Sequence, residues 1–298
     1  MPSAQPSSPA PSAGELPSRA FAHPRAGAWF LAAFVLVLAG SGVHAFGLDR
    51  TWMMAVHAHA AGAVAATFWS CLTVAGLGWS ALVILLAADR RSGALAATIV
   101  PSLVIGGLLA HVPKHLIAEP RPAATDIAPQ LHVIGHAFTG AVSMPSGHAL
   151  AAGAGAALLC TLAARTPVAR VLIVVVAVLI AVSRVVVGAH WPGDVLVGAG
   201  LGLLAAAIVL ALAAGRRTGA WYRWLAPRLR TCAGQRWIAA VELGVAAGLL
   251  SENTGYPAGV PMVWLLVAVA VISAGLRLVA SRHAGEPVEA QDARAGLP

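Results

Sequence analysis

The chain has 298 residues, of which 59% are hydrophobic and only 10% charged, and its mean hydropathy is +0.81. A soluble domain carries roughly 25% charged residues, so this balance excludes an ordinary globular enzyme and points to an integral membrane protein. The formal charge of +8 would suggest nucleic acid in a soluble chain, but here the positions of the basic residues matter more than their number, and no nucleic-acid partner is implied.

Residues 1–26 are rich in Pro, Ser and Ala without apolar periodicity and read as a disordered tail. An apolar run follows at 28–48. Val43-His44-Ala45 offers a signal-cleavage pattern after a short apolar core, yet the length of the run favours a retained span, since about 20 residues cross the hydrocarbon. Further apolar runs at about 63–87, 94–112, 147–164, 168–188, 194–214, 237–251 and 261–280 make eight predicted crossings. Gly153 with Ala157, and Gly198 with Gly202, put small residues at helical spacing where backbones can approach. Glu242, Pro257 and Pro261 blur the limits of the last two runs. The odd cysteine count, Cys71, Cys160 and Cys232, argues against a disulfide framework or a cysteine zinc site.

Threading the chain through eight crossings with its N-terminus inside puts fifteen of the nineteen basic residues on the inner side. Five of these, Arg216, Arg217, Arg223, Arg228 and Arg230, surround Trp221, Tyr222 and Trp224 in the segment 215–236, which suits either a basic interfacial helix or a charged linker. Only Arg50, Lys114, Arg121 and Arg184 remain outside, and Lys114 is the one lysine of the chain. Both termini, including a tail at 283–298, are then cytoplasmic.

Three polar clusters share that outer side. They are Lys114-x6-Arg121-Pro122, Pro145-Ser146-Gly147-His148 and Ser183-Arg184-x5-His190-x3-Asp194. Each alone has a plain structural explanation: snorkelling cations, a helix cap at Ser146, an i,i+4 pair at the start of a helix. Together they gather three cations, two histidines, a carboxylate and the free N–H groups of a helix start. Fixed positive charge and oriented donors stabilise the charge that spreads over the oxygens of a transferring phosphoryl group. A neutral imidazole held by a carboxylate suits attack on phosphorus, and a protonated second imidazole suits release of the leaving group.

In their order and spacing these clusters resemble the three-part signature of the type 2 phosphatidic acid phosphatase superfamily, over roughly residues 60–212. The resemblance implies an all-α, polytopic fold: a six-helix core, here 27–214, with its site at one membrane face, followed by the basic segment 215–236 and two additional spans within 237–282. It implies His190 as nucleophile forming a phosphohistidine, Asp194 as its orienting carboxylate and His148 as general acid. Lys114, Arg121, Arg184, Ser146 and Gly147 would hold the phosphate. It implies no metal and no cofactor, and a phosphorylated membrane lipid as substrate. Undecaprenyl diphosphate is preferred over phosphatidylglycerol phosphate, phosphatidic acid or lipid A phosphates.

The same residues would serve a lipid phosphotransferase, in which the phosphohistidine passes its phosphoryl group to a second lipid, or a transporter that only binds phosphate. A vanadate-dependent haloperoxidase shares such a site, but those relatives are soluble. His44, His57, His59, His111, His115, His132 and His136 also fall on the outer side. His57-x-His59 and His132-x3-His136 have metal-like spacing but lack cysteine or carboxylate partners, so no metal is assigned to them.

Overall fold

The computed structural model describes residues 23–58 and 63–283; the expected tails up to residue 22 and from 284, and His59, lie outside these. The described residues form eleven α-helices and no strand, an all-α architecture. Their order is α1 His23–Ala45, α2 Leu48–His57, α3 Ala63–Ala75, α4 Gly78–Ala88, α5 Ala94–Leu116, α6 Gly147–Leu162, α7 Pro167–Val186, α8 Pro192–Ala214, α9 Ala220–Arg230, α10 Cys232–Ser251 and α11 Val260–His283. Local chemistry sets several boundaries. Thr166 caps α7 by accepting the Ala169 N–H at 3.1 Å ahead of Pro167 at the first helical position, and Thr231 caps α10 through Gly234 N–H in the same way.

All eight predicted apolar runs are helical, but they differ in how well they suit a crossing. Five helical stretches are long and apolar enough by themselves: Ala26–Ala45, Ala94–Lys114, Pro167–Val186, Pro192–Ala214 and Pro257–Arg282. The second run is broken: α3 and α4 meet at 71° around Gly76 and Leu77, and together they make a sixth candidate. α6 has 16 residues, short of the usual length, and eleven of them are buried. It is an inner helix, apolar because neighbouring helices surround it. The protein is thus a polytopic membrane protein.

α8 is the axis of the bundle, with α1 packed along one side and α6 along another. Glycine makes the α6–α8 contact close. A Cβ on Gly202 would lie 2.1 Å from the Leu150 carbonyl oxygen, one on Gly153 2.5 Å from that of Ala199, and one on Gly198 2.4 Å from that of Ser146. The small-residue spacing noted in the sequence is therefore a backbone-to-backbone seam. It locks the start of α6 against the first turns of α8.

α10 and α11 form an antiparallel pair that packs on α3 and α4. Glu242 is fully buried within it and pairs with Arg277, Nε to Oε1 3.2 Å, while Ser273 donates to the same oxygen at 2.7 Å. Arg277 also donates to Gln235 and to the carbonyls of Leu86 and Asp89, so one guanidinium ties α11 to α10 and to the end of α4. In the basic segment, α9 buries Tyr222 and Ala226 against Ala97 and Ala213 and exposes Trp224, over which Arg228 lies at 4.2 Å.

Candidate functional site

The site forms where α7 ends, α8 begins and α6 begins, at the end of the bundle opposite α9. His190 lies in the short link between α7 and α8, one helical turn before Asp194. Its Nδ1 is 3.2 Å from Asp194 Oδ2, and both side chains are buried. Oδ2 also accepts the Trp191 N–H at 3.0 Å and a short hydrogen bond from Ser143 Oγ. The carboxylate both starts the helix, as its simplest reading required, and holds the imidazole. With a proton on Nδ1 facing a carboxylate, the lone pair sits on Nε2, the geometry a nucleophilic imidazole needs. Burial pushes the His190 imidazole down to about 4, opposed by the bond to Asp194 and reinforced by the nearby Arg184 and Arg121 charges. The ring is therefore neutral at physiological pH.

Ser146 immediately precedes α6, yet its hydroxyl makes no capping hydrogen bond; it is fully buried and without a partner among the described residues. Arg184, 2% exposed, donates through Nη1 to Thr73 Oγ1 and to Tyr256 Oη, while its buried Nε has no partner. Buried donors are nearly always paired, so these two are free to bond a ligand. A Cβ built on Gly147 would meet nothing within 4 Å, leaving open space at the N-terminus of α6. His148, in the first turn, is close enough to Arg184 and Arg121 to feel both charges, and it also neighbours His190.

Arg121 reaches the same site from the segment between α5 and α6. It donates to the Ala189 carbonyl at 3.1 Å and lies 5.1 Å from the centre of the Phe138 ring. Burial, followed by the like charge of Arg184, lowers its pKa from the usual arginine value. Lys114 is placed differently. It is exposed in the last turn of α5 and makes no hydrogen bond or ion pair with the described site residues. Six of the eight residues expected at the site thus converge around the orphaned donors, Gly147 supplies the open helix end, and Lys114 stands outside.

Behind Asp194 is a second layer. Glu119 meets Asp194 carboxylate to carboxylate, and burial, then the Asp194 charge, pushes its carboxyl up to about 8. Glu119 Oε2 and Asp194 Oδ1 are both buried without a partner, a deficit that one shared proton removes. His44 Nδ1 lies 2.9 Å from Glu119 Oε1 and 3.5 Å from Asp49 Oδ2, and Asp49 Oδ1 accepts the Gly193 N–H at 2.6 Å. Polar atoms of His44, Asp49 and Glu119 lie within 4.8 Å of one another, close enough for a cation or for shared protons. His57 is otherwise engaged: Nδ1 accepts the His132 N–H at 3.2 Å and Nε2 donates to the Val185 carbonyl at 2.9 Å. That leaves His57 no free nitrogen for a metal.

Sequence reasoning assigned no role to Thr73, Ser143, Glu119, Asp49 or Tyr256. Glu119 stands inside the quoted first cluster and Ser143 two residues before the second, so their positions were a signal; Thr73 and Tyr256 carried none. The break between α3 and α4 was not expected either, and it matters here. It sets Gly76 beside His148, where a Cβ would come within 3.2 Å of Cδ2. From this point an apolar cavity of about 220 Å³ runs between helices, lined by Gly76, Ile84, Ala152, Gly155, Val176 and Ile180 among others.

Comparison with known proteins agrees with this geometry. A protein of Sulfolobus acidocaldarius named undecaprenyl-diphosphatase is 36% identical over 121 residues, which are 40% of this chain and 56% of that protein, so the chain spans little more than half the relative's length. No solved structure matches the chain significantly. The PAP2 superfamily model matches residues 94–218, a stretch that holds all three polar clusters. Through that segment the chain is similar to the PAP2 superfamily.

Proposed function

We propose that this protein is an integral membrane lipid phosphatase that removes the terminal phosphate of a lipid phosphate or diphosphate through a phosphohistidine intermediate. The observation that carries the reading is the pair of orphaned buried donors, Ser146 Oγ and Arg184 Nε, beside an imidazole whose Nδ1 is held by a carboxylate. Phosphate oxygens satisfy these donors together with Arg121 and the N–H groups at the start of α6. His190 Nε2 attacks phosphorus, the bond from phosphorus to the bridging oxygen breaks, and His148 gives that oxygen its proton. Water then attacks the phosphorus of the phosphohistidine, His148 takes a proton from it, the bond from phosphorus to His190 Nε2 breaks, and inorganic phosphate leaves.

Undecaprenyl diphosphate is the favoured substrate. It is the substrate that the Sulfolobus relative's name implies, and the apolar cavity beside His148 offers a course for an isoprenoid chain. The basic-residue distribution supports eight crossings in the inner membrane with both termini cytoplasmic and the site facing outward. Lys114, exposed at that rim, suits the first capture of an anionic headgroup.

The test is purified protein against a panel of phosphorylated lipids, with His190→Ala as control. Release of inorganic phosphate, lost by at least about 10³-fold in the variant, supports the reading; label retained in a second lipid would make the protein a transferase. Activity should persist in EDTA and be inhibited competitively by orthovanadate, which takes the geometry of the transition state. Strict dependence on a divalent ion would overturn the metal-free mechanism and direct attention to His44, Asp49 and Glu119.

A further inference from the structure

The α10–α11 pair lies beyond the segment matched by the family model, yet the link between these helices enters the site. Tyr256, in that link, is 3% exposed. Its hydroxyl accepts a hydrogen bond from Arg184 Nη1 at 3.0 Å, and the Arg184 guanidinium carbon lies 5.6 Å from the ring centre. The link is held from the other side by the segment before α6. His136 N–H donates to the Gly255 carbonyl at 2.8 Å, and Gly135 and Gly255 both adopt positive φ, 79° and 74°, that side chains disfavour. A Cβ on Gly135 would fall 2.6 Å from the Gly255 oxygen, so the contact requires glycine there.

Phe138 completes the arrangement. Its ring centre is 6.3 Å from that of Tyr256, and it carries Arg121 at 5.1 Å. The two aromatic rings therefore each brace one arginine, Tyr256 the buried Arg184 and Phe138 the half-buried Arg121. Like charges in a poorly screened site repel, and a carboxylate brace would cancel the charge that phosphate needs. A phenol and a ring face hold a guanidinium while leaving its full charge in place. Thr73 and Tyr256 both accept from Nη1, which leaves the buried Nε unpartnered among the described residues.

We infer that Tyr256 is a positioning residue for Arg184, and that the α10–α11 pair is through it a working part of the phosphate-binding site rather than an appended anchor. This rests on the reading of Arg184 as a phosphate ligand. Tyr256→Phe removes the hydroxyl and keeps the ring. In the purified full-length protein we expect about tenfold weaker orthovanadate binding by calorimetric titration, a matching fall in kcat/KM, and an unchanged thermal midpoint. Trp264→Leu, at a lipid-exposed position of α11, should leave both unchanged. Wild-type vanadate affinity in Tyr256→Phe overturns the inference, as does an equal loss in Trp264→Leu, which would mark a general effect of disturbing the helix pair. Vanadate binding without lipid hydrolysis in the wild type would refute the phosphatase reading, while the vanadate comparison would still decide the role of Tyr256.

Discussion

Glu119 and Asp194 face each other carboxylate to carboxylate behind the His190 imidazole. Two ionised carboxylates in one buried site repel, so the pair keeps a proton, and burial with the Asp194 charge holds it on Glu119 up to about pH 8. In this state Asp194 keeps its negative charge toward His190 and receives a donor from behind.

Alkaline pH should therefore weaken the proposed activity. As pH rises through about 8, Glu119 loses its proton, Asp194 loses its rear donor, and kcat/KM should fall. Glu119→Gln keeps a donor that does not titrate and should lose this alkaline limb. The stability sign is opposite to that of a salt-bridged acid. The folded chain binds this proton more tightly than the unfolded one, whose value is near 4.5, so stability declines as pH rises from there to about 8 and then levels off. Thermal midpoints across that range should slope less in Glu119→Gln. An identical slope and pH–rate profile in the two proteins would remove Glu119 from this role.

Two glycines on the same helices should behave oppositely. Gly202→Ala puts a methyl 2.1 Å from the Leu150 carbonyl, a backbone atom that cannot step aside. Overpacking of this kind costs about 1–3 kcal/mol, and the loss should appear as lower thermal midpoint and yield. Gly147→Ala meets nothing within 4 Å and should fold normally, but its methyl narrows the open start of α6. A several-fold rise in the vanadate inhibition constant is expected there, with the midpoint unchanged.

The three polar clusters were legible because the chain carries so few charges, and the structure brings most of their cations, imidazoles and the helix start together. Apolar run length likewise located the five helices long and apolar enough to cross and the bent α3–α4 pair, though not α10, which falls short of a crossing helix, and glycine spacing anticipated the α6–α8 seam. What stayed hidden depended on contacts between distant segments. Tyr256 and Thr73 are unremarkable until α3 and the α10–α11 link are seen to meet at Arg184. The break at Gly76 leaves no trace in hydropathy, because both halves of the bent span are equally apolar. Lys114 shows the converse: a residue placed by its motif that stands at the rim rather than among the buried donors.

Glu242 and Arg277 should matter for folding and not for chemistry. α11 rises about 1.5 Å per residue, which puts Arg277 about 25 Å along the helix from its start near Tyr256. Glu242→Ala leaves a buried guanidinium without its carboxylate, a loss of about 3–5 kcal/mol. Expression and thermal midpoint should drop sharply, while kcat/KM per folded molecule stays near wild type. A selective loss of turnover at wild-type stability would show that this end of the helix pair communicates with the site.

Ser146 separates a structural from a functional hydroxyl in one substitution. A serine that caps a helix loses about 0.5–2 kcal/mol of stability on change to alanine. Ser146 precedes α6 in the capping position, but its buried Oγ bonds to nothing among the described residues. Removing an unsatisfied buried hydroxyl relieves a desolvation cost, so Ser146→Ala should hold or raise the thermal midpoint. The same change removes the proposed phosphate donor and should weaken orthovanadate binding by about tenfold. Measuring both quantities on one preparation decides between the roles. A fall in stability with vanadate affinity intact would return Ser146 to the ordinary work of a cap and remove it from the phosphate site.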